Sequence, residues 1–149
     1  MNSKGQAGPV FELLVQAVIG LFILVIVVSA ISYFENQRYA ISGQRFNEKI
    51  LTAANQPNGD VLVVEGIAFN SGSMSSKFVS LKTGISAECI DFEAKDNALI
   101  EVSSDGKTVS FEKSMDLDVF IKCCPTAEDC FQSIECTVSF GKKLEQGCS

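Results

Sequence analysis

The 22 residues from Leu13 to Phe34 carry no charged side chain, and a single carboxylate, Glu12, stands at their N-terminal edge. As a helix rising about 1.5 Å per residue they span roughly 33 Å, close to the hydrocarbon thickness of a bilayer. No other stretch of the sequence is long and apolar enough to cross a membrane. Such a segment either anchors the rest of the chain, is cut away, or packs against copies of itself.

The residues around it narrow these choices. Met1 to Gly8 is short, rich in small residues and carries one basic side chain, Lys4. Pro9 stands where a helix can begin, because its missing N–H would be unpaired in the first turn. Glu12 is expected in that first turn, where the helix dipole favours a carboxylate. Behind it the apolar run is interrupted only by Gln16, Gly20, Ser29 and Ser32. A secretory signal peptide has an apolar core of about 7–15 residues, more positive charge before it and no acid there. Val28-Ser29-Ala30 has the small residues of a cleavage site, but the run is too long for that reading.

Helical character continues past the apolar run. From Glu35 to Ala54 there is no proline and only one glycine, Gly43. Tyr39, Phe46, Ile50 and Ala54 fall on one helical face, and Arg38, Arg45, Glu48 and Lys49 line another. The pattern predicts one helix from Pro9 to about Ala54, on the order of 65–70 Å long. Asn55-Gln56-Pro57-Asn58-Gly59 ends it, since proline and glycine there cannot continue a helix.

Beyond this break the periodicity changes to that of strands. Asp60–Phe69 is rich in valine and isoleucine. Glu88–Glu93, Ala98–Ser103, Thr108–Lys113, Leu117–Lys122 and Ile134–Phe140 alternate or are enriched in β-branched residues. Ser104-Asp105-Gly106-Lys107 predicts a hairpin turn between two of them. Ser73–Lys82 predicts one or two helical turns, with Met74, Phe78 and Leu81 packed into the core. Cys123–Cys148 is expected to form an irregular cap. These patterns imply an α+β fold class: a long N-terminal hydrophobic helix, then a small antiparallel β-rich head of five to seven strands, stapled by disulfides.

All six cysteines lie beyond the apolar segment, at Cys89, Cys123, Cys124, Cys130, Cys136 and Cys148. An even number packed into a small domain behind a membrane segment points to three bridges and an oxidising compartment. The spacing Cys124-x5-Cys130-x5-Cys136 lacks the CxxC knuckles of cysteine-only zinc sites. Adjacent Cys123 and Cys124 are expected to find separate partners, and the sequence leaves the pairing open.

Charge and composition remove several functions. From Asp60 onward there are 15 acidic and 8 basic side chains, a net charge of −7. That repels nucleic acid and anionic lipid surfaces. The sequence contains no histidine, so there is no ordinary general base near neutral pH and no imidazole metal ligand. An enzyme is not expected, and no cofactor or metal site is assigned. Asp91, Glu93 and Asp96, like Glu128 and Asp129, match no defined calcium loop and read as solvated acidic surface.

Lys4-Gly5-Gln6-Ala7-Gly8-Pro9-Val10-Phe11-Glu12-Leu13-Leu14, with the apolar helix behind it, resembles the class III signal peptides of type IV pilin-like proteins, most closely the archaeal ones. The resemblance covers residues 4 to about 54 and does not extend to the head. It implies a leader of residues 1–7, cut on the cytoplasmic side by a prepilin peptidase, with residues 8–54 kept on the mature protein as the membrane-spanning and filament-core helix. Residues 60–149 would then form the extracellular head. In that family glycine or alanine precedes the cut, and a glutamate commonly stands fifth in the mature chain. A cut after Gly5 leaves Gln6 first and Glu12 seventh; a cut after Ala7 leaves Gly8 first and Glu12 fifth. The two cues disagree, and the Ala7–Gly8 bond is slightly preferred.

In such a filament an all-round apolar helix is buried against its neighbours as it was in lipid. Gly20 and Ser29 would allow close helix approach. Glu12 would be costly there unless paired, and the implied partner is a neighbouring subunit's N-terminal amine. The alternative role for Glu12 is an interfacial acid at the helix start. Two functions stand. One is a structural subunit, major or minor, of an extracellular type IV pilus-like filament on the cell surface, serving adhesion. Its partners would be copies of itself or other pilin-like subunits, the peptidase, and membrane lipid before assembly. The other is a single-pass cell-surface protein whose disulfide-rich head binds a ligand or partner.

Overall fold

The computed structural model describes residues 7–126, 130 and 133–148. Helix α1 (Ala7–Asn55) begins two residues before the expected Pro9 and ends one residue past Ala54. Pro9 is tolerated at the third position because the first four N–H groups of a helix have no carbonyl to meet. The early start moves Glu12 out of the first turn, where it was expected: it is the sixth helical residue, and the first turn holds no acid. The breaker sequence then acts as its composition requires. Gln56 N–H still reaches Ala53 O at 3.2 Å, and Gly59 turns the chain with φ +81°.

The chain forms two compact units, the first ending at Arg38 and the second running from Tyr39 to Ser149. In the first, every residue from Gly8 to Arg38 is exposed.

Among the described residues of the second unit, seven strands form two sheets. One sheet has the order β1 (Val61–Phe69), β6 (Met115–Pro125), β7 (Ile134–Phe140) and β3 (Ile90–Ala94). The other has β2 (Gly72–Ser75), β5 (Thr108–Phe111) and β4 (Ile100–Val102). All pairings are antiparallel but one: β3 runs parallel to β7, with Ile90 opposite Cys136. The Cys89–Cys130 bridge fits this orientation, since its two cysteines lie before β3 and before β7 and join the same ends of the two strands. The expected turn joins β4 to β5, with Val102 opposite Val109.

The end of α1 packs on this head through the face read from the sequence. Phe46, Ile50, Ala53 and Ala54 are buried, and Ser42 Oγ accepts the Ala68 N–H at 3.1 Å. Phe140 lies at the centre of the core, its ring within 6.5 Å of those of Phe46, Phe69, Phe92 and Phe111. Phe69 of β1 stacks on Phe111 of β5 at 4.8 Å and so joins the two sheets. Such aromatic pairs add about 0.5–1.5 kcal/mol beyond the area they bury.

All six cysteines are paired, as Cys89–Cys130, Cys123–Cys136 and Cys124–Cys148. Neighbouring Cys123 and Cys124 point to opposite faces of β6, as successive strand residues must. Cys123 therefore meets Cys136 across the ladder in the core, while Cys124 holds the C-terminal tail. β6 continues past the expected Lys122 to Pro125, and β7 is the expected strand Ile134–Phe140. Among the described residues the tail after Phe140 is irregular. It closes over the breaker loop: Gly147 N–H donates to Gly59 O at 2.9 Å, and Gly59 N–H donates to Cys123 O at 3.1 Å. A Cβ on Gly59 would lie 2.7 Å from backbone atoms of Gly147 and Cys148, so only glycine fits there.

One expectation about packing is overturned. Gly72–Ser75 is strand β2, and the next element is helix α2 (Ser76–Thr83), capped by Ser75 and ended by Gly84 at φ +76°. Its buried residues are Ser76 and Val79. Phe78 and Leu81, expected in the core, are 53% and 85% exposed; Met74 packs against the core from β2. Starting the helix at Ser76 and docking Val79 leaves Phe78 and Leu81 outside the core, Phe78 at the edge of a pocket beside β2 and Leu81 toward solvent.

Candidate functional site

The first candidate site is the apolar part of α1. Leu13, Leu21, Phe22, Leu24, Ile26 and Phe34 are each at least 60% exposed. The helix is long and apolar enough to cross a membrane, and none of its most apolar stretch is buried within the chain. Its two serines do not need water. Ser29 Oγ donates to Val25 O at 2.8 Å and Ser32 Oγ to Val28 O at 3.1 Å, one turn back along the helix. Hydroxyls satisfied in this way suit an apolar surrounding, where an unpaired polar group is costly.

Gly20 lies inside this stretch, and a Cβ there would meet nothing within 4 Å. Nothing in the chain itself requires glycine at that position, although glycine costs a helix interior about 1 kcal/mol relative to alanine. Glu12 is exposed, and no described residue pairs with it. Of the residues around the expected cleavage, Gly5 and Gln6 lie outside the described residues. Ala7 opens α1, and Gly8 is exposed with open space around its Cα.

In the head, two of the acids considered for calcium, Asp91 and Glu93, are engaged by lysines. Lys107 Nζ donates to Asp91 Oδ1 at 2.7 Å and to the Glu88 and Ile90 carbonyls at 2.7 and 3.2 Å. This ammonium fastens the β4–β5 turn to the start of β3. Lys142 Nζ donates to Glu93 Oε2 at 2.8 Å, and this bond raises the Lys142 pKa above its ordinary value. Glu128 and Asp129 lie outside the described residues. Among the described residues no group of three His, Cys, Asp or Glu side chains is placed to hold a metal ion.

The residues that sequence reasoning misplaced form the second candidate site. Helix α2 exposes Lys77, Phe78, Leu81 and Lys82, with the Lys82 ammonium 5.9 Å from the Phe78 ring. The signal that could have found it is charge: α2 carries two lysines and no acid within a strongly acidic head. On the outer face of the β2–β5–β4 sheet lies a groove of about 630 Å³ lined by Ser73, Ala98, Leu99, Glu101, Ser110 and Glu112, among others.

No family model, no curated protein and no solved structure matches this chain.

Proposed function

We propose that this chain is a structural subunit, major or minor, of an extracellular type IV pilus-like filament, made as a membrane-inserted precursor and assembled through its N-terminal helix. The observation that carries this reading is the stretch from Leu13 to Phe34, apolar on all sides and exposed throughout. Burying apolar surface is worth roughly 25 cal/mol per Å², so a helix apolar on all sides is stable in lipid and against other helices like itself. The sequence before it, Lys4 to Glu12, resembles the processing region of class III signal peptides, which adds a route from one environment to the other. Gly20, which nothing in the chain requires, would serve close helix packing. Glu12 in a filament core needs a cationic partner, and the amine created by cleavage at Gly5–Gln6 or Ala7–Gly8 supplies one. The head, with its own core and three bridges, is built to persist in an oxidising surrounding.

The test is the intact mass of the native protein together with two variants. A mature chain lacking five or seven residues is the expected result. Replacing Gly5 and Ala7 together by bulky residues should block processing and leave the protein in the membrane. Glu12→Gln should insert normally and assemble poorly, because it keeps the shape and removes the charge. A native protein that retains Met1 to Ala7, with Glu12→Gln behaving as wild type, would leave a single-pass surface protein with a ligand-binding head as the better reading.

A further inference from the structure

From the exposed face of α2 and the acidic groove on the outer sheet, we infer a head-to-head contact between copies of this chain, in which α2 of one copy seats in the Glu101–Glu112 groove of the next; this rests on the filament reading above. On a helix of 3.6 residues per turn, Lys77, Leu81, Phe78 and Lys82 fall in that order around an arc of about 140°. Two apolar side chains therefore lie between two ammonium groups. Phe78 and Leu81 are 53% and 85% exposed, and they sit side by side on a helix that buries only Val79 and Ser76.

The groove has the complementary pattern. Glu101 lies opposite Ser110 across the β4–β5 ladder, and Glu112 follows directly after β5 ends at Phe111; both side chains line the groove. Between and beside them the lining is small or apolar, with Gly72, Ser73, Ser110, Ala98 and Leu99. Neither glutamate makes an ion pair among the described residues. Two like charges thus line one groove without an ion-pair partner among the described residues, and the two lysines of α2 carry the counter-charge. The acidic surplus of the head disfavours most contacts between copies, and the α2 face is where that repulsion reverses. Exposed ion pairs contribute little affinity, so Phe78 and Leu81 supply the binding and the charges fix its register. Helix face and groove are different patches of one chain, so the contact is heterologous and propagates instead of closing.

Zero-length coupling of the full chain with a carbodiimide tests the contact, since it joins a lysine amine to a carboxylate within ion-pair distance with loss of water. Mixed isotope-labelled and unlabelled chains tell joins between copies from joins within one. Peptides joining Lys77 or Lys82 to Glu101 or Glu112 of another copy are expected, both in filaments and in concentrated detergent-solubilised chain. Filaments that form without such peptides would overturn the contact and leave the filament reading standing. Peptides found in detergent with no filament or leader cleavage would uphold the contact and sink that reading. Reversing Lys77 and Lys82 to glutamate, or Glu101 and Glu112 to lysine, should each lower the assembled fraction at least tenfold, and combining the four reversals should restore it. Leu81→Ser should lower it by a similar factor with the head's melting temperature unchanged. Wild-type assembly by all three variants would overturn the contact.

Discussion

Residues 13–34 and residues 39–148 both draw on large apolar side chains, and they place them in opposite ways. In the first region Leu21, Phe22, Leu24 and Ile26 are all exposed, the helix is held by its own backbone bonds, and the hydroxyls of Ser29 and Ser32 are satisfied by carbonyls one turn back. In the second, Phe46, Ile50, Phe92, Val119 and Phe140 close a common core, crossed by the Cys123–Cys136 bridge. A helix satisfies every interior backbone group without help, so the first region needs a surrounding but not a fold. A sheet satisfies its groups only through neighbours, so the second region exists only as a whole. The stability of one is a property of the medium, and that of the other is a property of the sequence.

Reduction should separate the two most sharply. The bridges close separations of 13, 24 and 41 residues, and each such bridge is typically worth about 2–4 kcal/mol. Reducing and alkylating the full chain in detergent should abolish amide protection across the strands and leave the helical signal of residues 13–34 in place. Before reduction, no thiol should react in the unfolded head. If helix and sheet signals fall together on reduction, the two regions are not independent.

A pair of phenylalanine truncations sharpens the same contrast at lower cost. Phe140 is fully buried and Phe22 is 64% exposed. Phe140→Ala removes the ring that four others surround and should cost the head about 3–5 kcal/mol, read as a drop in its melting temperature. Phe22→Ala should leave that temperature unchanged and act only on membrane partition or assembly. Equal effects on head melting would mean that residue 22 has a partner in the chain after all.

How much of this was legible in the sequence obeys the same division. The helix was readable to within two residues of each end, because its period and the Pro57–Gly59 break are local signals. Most strand positions were readable for the same reason, Ile134–Phe140 to the residue, but β2 was not, its residues being read as the start of the helical turns. What pairs with what was not. The parallel partnership of β3 and β7 and the Cys89–Cys130 bridge beside it are long-range pairings, and spacing reveals neither which strands nor which cysteines meet. Gly59 read as a helix stop; its close fit against Gly147 and Cys148 comes from residues almost ninety positions away. Phe78 and Leu81 were assigned to the core on apolarity alone, and the α2 face they form with Lys77 and Lys82 was missed. An eight-residue helix buries only a narrow strip, and here Val79 holds it.

The smallest effect expected lies in the β4–β5 turn. The hydroxyl of Ser103 donates to the Asp105 carboxylate, and so does the Lys107 N–H at 3.0 Å. These bonds, that of Ser103 foremost, lower the Asp105 pKa from its ordinary 3.8. A carboxyl whose pKa is lower in the folded state stabilises the fold above its unfolded value, and that contribution is lost as pH falls through the folded one. Asp105 therefore favours the folded head at neutral pH and ceases to do so only in strong acid. Because the carboxylate is fully exposed, solvent screens it and the effect is slight. Asp105→Asn keeps an oxygen that can accept both bonds and removes the charge. Its melting temperature should fall marginally below that of wild type at pH 7, and the two should converge as the pH drops well below 3.8. A difference that persists or grows in acid would place the contribution of Asp105 in the shape of the turn and not in its charge.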